Sequence, residues 1–343
     1  MRWWTRAFRG DARAPRDVDS ALRSALLAVL DRDFDEAERM LRHAASLDSE
    51  AIEPYRALAR LFRMRGELGR AIRIHQNLLL RADLATDEGV GMVADLAADF
   101  RQGGFLRRAI ASYEEVLAHR PRHPEALRAL VGLLAEVRDF PRAIEMQRRL
   151  ARVERRDQAP GDADLRVGMA RAARAEGRSE DALRAVKKAL RKDRKSVEAW
   201  ILLGQLEAER GRTRAALAAW ERVPRLDRRV GPRVYPQLAA TYAALGRARD
   251  YEQLLRGLLE AHPEDVAARL ALARNLAARG DVDGAIGELQ RELARHPDDL
   301  EARGALGRLL LSERRDLEAA KEYGELLELL DRQGWIRPRE TLE

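Results

Sequence analysis

Three arginines stand at a spacing that could support recognition of anionic groups. Arg56, Arg60 and Arg63 are four and three residues apart, which places them on one face of a helix. A planar guanidinium can hold a carboxylate through two parallel hydrogen bonds. The group therefore predicts binding of acidic segments rather than bond-making chemistry.

Two histidines are the nearest approach to a metal site. His119 and His123 are four residues apart, a spacing at which two imidazoles can share a metal ion on one helix face. Pro121 lies between them and no third ligand is close in sequence, so we predict no metal site. The chain has no cysteine, which excludes disulfides and thiolate catalysis. Glycine motifs for phosphates or dinucleotides and the G-x-S-x-G motif are also absent from the sequence. We expect no catalytic residues, no cofactor and no enzymatic activity.

The arginines belong to a stretch, from Tyr55 to Leu80, with two amphipathic segments around Gly66. Apolar residues recur three and four apart on both sides of the glycine, which predicts a helix, a tight turn and a second helix. Ala71 follows the glycine by five positions, and equivalent positions recur at about 34 residues, the tetratricopeptide period. We call these the marker positions: Ala37, Ala71, Ala109, Ala143, Ala182, Ala216, Tyr251, Ala285 and Ala319.

Consensus features accompany the period. Trp200 and Gly204 open one repeat in the W-x2-L-G manner, Trp220 follows Ala216 by four positions, and Pro263 follows a second helix. Small residues at the marker and at Gly204 let two helices approach closely, and a large residue such as Trp220 fills the remaining space. The sequence therefore predicts an all-α, right-handed superhelical solenoid of about nine tetratricopeptide (TPR) helix hairpins.

Interruptions of the period predict the organisation of the chain. An insertion at 83–89 follows repeat two, with Thr86 or Asp87 as the N-cap of the next helix. We predict a basic and aromatic N-terminal segment (1–17), repeats one to four (18–154), a Pro-Gly loop (155–162), repeats five to nine (163–331) and a C-terminal tail (332–343). Turns inside the hairpins are predicted at Arg32 to Asp35, Gly66, Gly103 and Gly104, Arg138 and Asp139, Gly177, Gly211, Gly246, Gly280, and Arg314 and Arg315.

The N-terminal segment combines Trp3, Trp4 and Phe8 with arginines. On a helix Trp4 and Phe8 share a face, and such a segment suits contact with an anionic membrane surface. The alternatives are a frayed tail and aromatic side chains that cover the first repeat. No run of about 20 apolar residues and no secretory signal is present in the sequence, so we expect a cytoplasmic protein.

The formal net charge is +7, with 64 basic and 57 acidic residues. An excess of positive charge favours an anionic partner, but interspersed charges are also typical of solvated helix faces. In a TPR array the first helix of each repeat lines the concave groove. The groove positions place seven residues in a predicted partner-binding groove: Arg56, Arg60, Arg63 and Met64 of repeat two, Arg171 and Arg174 of repeat five, and Arg308 of repeat nine.

The residues of this groove favour some classes of partner and disfavour others. Acidic protein segments or membrane proteins suit the arginines, unless these pair with carboxylates of the adjacent repeat. Nucleic acid is disfavoured, because the groove has no regularly repeated aromatic residues on which bases could stack. The chaperone-tail clamp of TPR co-chaperones is also disfavoured, because its Lys and Asn combination is absent from the groove positions.

One string carries a family resemblance. Leu61 to Glu67 (LFRMRGE), followed by Arg70 to Gln76 (RAIRIHQ), closely resembles the second repeat of the lipopolysaccharide assembly protein B family. That family usually begins with a transmembrane helix and ends in a rubredoxin-like metal domain with two C-x-x-C pairs. This chain shows instead the aromatic and basic segment 1–9 and contains no cysteine.

The resemblance implies a function. Members are understood as cytoplasm-facing adaptors that link the lipid A pathway deacetylase to a membrane-bound AAA+ protease and so limit lipopolysaccharide synthesis. It implies a non-enzymatic adaptor here, with peripheral contact at the inner membrane as a further hypothesis. The alternative is a structural TPR scaffold for an envelope or secretion assembly.

Overall fold

The computed structural model describes residues 15–156 and 161–333. Within these ranges every regular element is a helix, and no β-strand occurs. The chain divides into two compact units, residues 1–169 and 170–343, and the boundary falls inside the ninth helix. The predicted all-α array of TPR hairpins is confirmed within each unit.

The first unit holds repeats one to four and the beginning of repeat five, and its first eight helices each pack against the next along the chain. Side chains at the N-caps Asp17, Asp33, Thr86 and Asp139 accept hydrogen bonds from backbone N–H groups of the first turn, which fixes where four of these helices begin. The helices are α1 (Val18–Leu30), α2 (Phe34–Leu47), α3 (Ile52–Met64), α4 (Leu68–Leu79), α5 (Asp87–Gln102), α6 (Leu106–His119), α7 (Pro124–Glu136), α8 (Phe140–Val153) and α9 (Asp162–Ala175).

The second unit holds the remaining repeats. Its helices pair in the same manner, except that two short elements follow the second helix of repeat six. The helices are α10 (Ser179–Lys192), α11 (Val197–Glu209), α12 (Thr213–Trp220), α13 (Arg222–Leu226), a 3₁₀ helix (Arg228–Arg233), α14 (Tyr235–Ala244), α15 (Ala248–Ala261), α16 (Val266–Ala278), α17 (Val282–Arg295), α18 (Leu300–Ser312) and α19 (Asp316–Arg332).

The marker positions lie where helices meet. All nine are at most 1% exposed, which confirms the predicted repeat register. The close approach predicted at Gly204 is also present, because a Cβ atom built there would lie 2.2 Å from Nε1 of Trp220. The indole N–H of Trp220 donates to the carbonyl of Ile201 at 3.3 Å, so the ring is held against the neighbouring helix.

The turns within the hairpins share one backbone conformation. A residue with positive φ, the left-handed region, stands in each of the nine, at φ values between 58° and 84°. Six are glycines, which adopt this region without steric cost, and three are arginines, for which it costs roughly 1–2 kcal/mol. The nine are Arg32, Gly66, Gly104, Arg138, Gly177, Gly211, Gly246, Gly280 and Arg314.

Among the described residues no helix is long and apolar enough to cross a bilayer. Trp3, Trp4 and Phe8, on which the predicted membrane contact depends, lie outside the described residues. The C-terminal tail beyond residue 333 lies outside them as well. The membrane contact therefore stays a prediction.

Candidate protein-interaction surface

The predicted arginine face of α3 lies against the second half of α5, where Asp95 and Asp99 stand. Arg56 donates to Oδ2 of Asp95 through Nη2 at 2.8 Å, and Arg60 donates to the same oxygen through its own Nη2 at 2.9 Å. Arg63 donates to the backbone carbonyl of Asp95 at 3.0 Å. One aspartate of repeat three thus accepts hydrogen bonds from three arginines of repeat two, two at its carboxylate and one at its backbone carbonyl.

A second carboxylate lies one helical turn further along α5. Oδ1 of Asp99 accepts a hydrogen bond from Nη1 of Arg63 at 3.0 Å, and its Oδ2 lies 2.5 Å from Nδ1 of His75. The side chains of Asp99 and His75 are completely buried. Nε2 of His75 has no hydrogen-bond partner among the described residues. The cluster therefore connects α3, α4 and α5 in the interior of the first unit.

Two opposing effects act on the pKa of Asp95. Burial by itself raises the pKa of this carboxyl, because it disfavours the charged form. The hydrogen bonds and positive charges of Arg60 and Arg56 outweigh burial, so the pKa lies below its ordinary value of 3.8. Asp95 is therefore ionised at neutral pH and contributes to holding α5 against α3.

The contacts decide how much of each arginine a partner could reach. The side chains of Arg56 and Arg63 are only about one-fifth exposed, whereas that of Arg60 is 52% exposed. The pairing with carboxylates of the adjacent repeat, which the sequence left open, is present for all three. A binding role for these arginines stays a prediction, and Arg60 is the one with a free face.

Met64 follows the arginines on α3 and is 61% exposed. It lines an open cleft of about 300 Å³ between α1 and α3, together with Leu22, Leu26 and Val29 of α1. We call this the α1/α3 cleft. Arg60 lies at its polar edge, so the cleft combines an apolar wall with a half-exposed cation.

The two predicted arginines of repeat five also pair with side chains of the same chain. Arg171 forms an ion pair with Glu198, which Arg233 also contacts. The hydrogen bonds from Arg233, and the charges of both arginines, lower the pKa of Glu198 despite its partial burial. Arg174 donates to Glu209 at 2.8 Å and to the side-chain oxygen of Gln205 at 2.9 Å.

Arg308 differs from the other candidates. It is exposed on α18 and lines a second groove, of about 300 Å³, with Leu270, Arg274 and Leu309. Within the described ranges its guanidinium makes no hydrogen bond or ion pair. Arg308 belongs to the second unit, whereas the arginines of repeat two belong to the first.

The histidine pair has a structural place. His119 is the last residue of α6, and His123 is the N-cap of α7, where its Nδ1 accepts a hydrogen bond from the N–H of Ala126 at 3.2 Å. In the part of the chain that the structure describes, no group of three or more His, Asp or Glu residues is arranged to hold a metal ion.

Sequence reasoning missed the partners of the arginine face. Asp95, Asp99 and His75 did not stand out, although a signal was available. The two aspartates are four residues apart on the first helix of repeat three, and Arg56 and Arg60 are four residues apart on the first helix of repeat two. Matching spacings of opposite charge on the first helices of adjacent repeats would have predicted the pairing.

Comparison with protein-family models defines the class of protein. Residues 95–163 and 167–227 match one model and residues 242–309 match a second, and both are described as tetratricopeptide repeat. Together the matched stretches cover more than half of the chain, and the chain belongs to the tetratricopeptide repeat family.

The sequence is also similar to one particular protein. It is 26% identical over 265 residues to lipopolysaccharide assembly protein B of Escherichia coli K12, which covers 77% of this chain and 68% of that protein. Lipopolysaccharide assembly protein B of Haemophilus influenzae is 34% identical over 98 residues, which cover 28% of this chain and 24% of that protein. The resemblance drawn from residues 61–76 is confirmed.

Solved structures with a similar fold include a crystal structure of MamA protein. It has a TM-score of 0.41 and 18% identity, and the match covers 53% of this chain and 94% of that one. A structure of Naa15/Naa10 bound to HypK-THB matches with a TM-score of 0.44 and 16% identity over 94% of this chain and 53% of that one.

Proposed function

We propose that this chain is a non-enzymatic protein-interaction adaptor that acts in lipopolysaccharide assembly. The observation that carries the proposal is the similarity to lipopolysaccharide assembly protein B over about three quarters of the chain. The string behind the resemblance lies on α3 and α4, where Arg63 and His75 hold α5 in place. A fixed α3 presents its remaining face as a binding surface.

The α1/α3 cleft is the proposed docking site in the first unit. Leu26 and Met64 are each about 60% exposed there, and Arg60 adds a half-exposed cation. An apolar side chain with a neighbouring carboxylate fits this combination, because the apolar part leaves water and the carboxylate meets the guanidinium. Arg56 also lines the cleft while Asp95 holds its guanidinium, and Arg63 supports the site through its bonds to Asp95 and Asp99.

The proposed partners follow from the resemblance. They are an enzyme of the lipid A pathway, in the first place its deacetylase, and a membrane-bound protease, brought together at the cytoplasmic side of the inner membrane. Trp3, Trp4 and Phe8 are proposed to add peripheral contact with that membrane. Co-sedimentation with anionic vesicles, with and without residues 1–17, tests this contact, and equal binding of the two chains refutes it.

The docking site needs a variant that leaves the arginine pairs intact. Reversing the charge of Arg56, Arg60 and Arg63 together would leave Asp95 without a counter-ion and damage the fold. Leu26→Glu/Met64→Glu changes only exposed side chains of the cleft. Leu80→Glu, at a leucine that is 85% exposed on the same repeat, is the matched control.

The test is a quantitative pull-down from membranes of the native host with each of the three proteins as bait. We expect a lipid A pathway enzyme or a membrane protease to be enriched with the wild type and with Leu80→Glu, and to fall at least tenfold with the cleft variant. Equal recovery with all baits would remove the cleft as the docking site. Recovery of other envelope proteins alone would favour the structural-scaffold alternative.

A further inference from the structure

Repeat seven departs from the rest of the array, and the departure opens a cleft. Its marker position is Tyr251 instead of alanine, and the ring is fully buried and stacked on Tyr242 with 5.4 Å between centroids. The hydroxyl of Tyr251 donates to the backbone carbonyl of Tyr235 at 3.2 Å. A large ring where an alanine usually stands keeps the two helices of the repeat further apart.

The first helix of this repeat is also short. α14 has 10 residues, whereas α16 and α18 have 13 each, and the 3₁₀ helix with Pro232 occupies the place of its missing turn. A cleft of about 510 Å³ lies between α14 and α16. Its floor is made of small apolar residues, among them Ala239, Ala243 and Ala271. This volume is within the range of sites that hold a ligand or an anchoring side chain.

The cleft continues into the groove beside Arg308. Leu270 and Arg274 line both, and Ala277, Ala305 and Leu309 extend the apolar floor toward α18. The result is one apolar channel across the first helices of repeats seven, eight and nine, all within the second unit. We call it the α14–α18 groove.

Some charged residues along the α14–α18 groove are paired within the described part of the chain, and one is not. Arg274 is paired with Glu301 at 2.5 Å, and Arg279 is paired with Glu252. Asn275 donates to the carbonyl of Ala248 at 3.1 Å. Arg308 is exposed and has no such partner among the described residues, so its charge is available to a bound molecule.

We propose that the α14–α18 groove binds an amphipathic helix of a partner protein, with an apolar anchor in the cleft between α14 and α16 and a carboxylate that pairs with Arg308. Helix axes in contact lie about 8–10 Å apart, and two helical turns span ~11 Å. A carboxylate about two turns from the anchor therefore reaches from the cleft to α18. This inference rests on the proposed function, because it gives the same adaptor a second binding surface and states the chemistry of its partner.

A library of random 16-residue peptides displayed on phage tests the proposal with the full chain as bait. Peptides that bind the wild type are expected to combine Leu, Phe or Met with Asp or Glu at helical spacing. Two variants address the groove: Ala243→Arg obstructs the cleft, and Arg308→Gln removes the free charge. Ala218→Arg and Arg249→Gln make the same changes at exposed positions of α12 and α15 outside the groove and serve as matched controls.

The proposal predicts that Ala243→Arg and Arg308→Gln each weaken binding of the selected peptides roughly tenfold, and that both controls bind as the wild type does. Replacing the acidic residue of the peptide by Gln or Asn should lower its affinity for the wild type by the same factor. The same replacement should not lower its affinity for Arg308→Gln any further.

Equal binding by all variants, or selected peptides without acidic residues, overturns the inference. If the selected peptides bind Leu26→Glu/Met64→Glu more weakly than the wild type but bind Ala243→Arg and Arg308→Gln normally, the inference about the α14–α18 groove is overturned. The proposed function and its α1/α3 cleft then remain in place. A wild-type chain that selects no peptide at all speaks against both.

Discussion

Replacement of Asp99 by asparagine tests the buried cluster that holds α3, α4 and α5 together. Asp99 is fully buried and carries the charge that faces Arg63 at 3.0 Å and His75 at 2.5 Å. Removing one member of a buried ion pair typically costs 3–5 kcal/mol. Arg63 keeps its hydrogen bond to the backbone of Asp95 in the variant. We therefore expect a loss at the lower end of this range, about 3 kcal/mol, in the free energy required to open the helices of the first unit.

Hydrogen exchange followed by mass spectrometry measures this locally, because it reports the opening of each helix separately. A loss of about 3 kcal/mol predicts that amides of α4 and α5 exchange roughly a hundredfold faster in Asp99→Asn, whereas α16 to α19 remain unchanged. Asp35→Asn is the matched control, because Asp35 is 88% exposed and pairs with Arg65 at 3.0 Å. An exposed pair contributes at most about 1 kcal/mol. Equal protection in the two variants would refute the role assigned to the cluster.

Three further predictions follow from the packing, the turns and the charges. Gly204→Ala places a methyl group against Trp220, so we expect a loss of about 1–3 kcal/mol in urea unfolding followed by Trp fluorescence; an unchanged midpoint would contradict the close approach. Arg138→Gly relieves a positive φ of 62° and is expected to raise the melting temperature, with a gain of at most about 1 kcal/mol; a decrease would contradict it. Because the pKa of Asp95 is lowered in the folded protein, its charge stabilises the fold above the ordinary pKa of 3.8, and this stability is lost as the pH falls through the folded-state pKa. The protection of α5 amides against hydrogen exchange should therefore fall less on acidification in Asp95→Asn than in the wild type. The same loss of protection in both proteins would contradict the prediction.

The repeat architecture could be predicted because it depends on sequence features that recur from repeat to repeat. Gly66 and its equivalents mark the turns, and small residues such as Ala71 mark the helix contacts, so period and register follow from one chain. Thr86 was one of two predicted N-caps and is the one observed, with its hydroxyl accepting from the N–H of Gly89 at 3.1 Å. Each of these features depends on residues close in sequence or on the repeat itself.

The candidate site was harder to predict, because side-chain pairing depends on which face of the next repeat lies opposite. The arginines of α3 could be placed on one face, but their carboxylates on α5 are more than 30 residues away. His75 belonged to the string that carried the resemblance, yet only the structure gives it a partner. Tyr251 already stands out in the sequence as the one marker position that is not alanine, but the size of the cleft at repeat seven depends on the short elements between α12 and α14.

Site-specific photocrosslinking tests the central claim most directly, which is that this chain is an adaptor whose partner docks in the α1/α3 cleft. A photoreactive amino acid at Met64, and another at Leu80 as the matched exposed position, would be irradiated in the native host and the products identified by mass spectrometry. The account predicts a crosslink from Met64 to a protein of lipopolysaccharide synthesis or to a membrane protease, with little or none from Leu80. Equal products at both positions, or products from Leu80 alone, would contradict it.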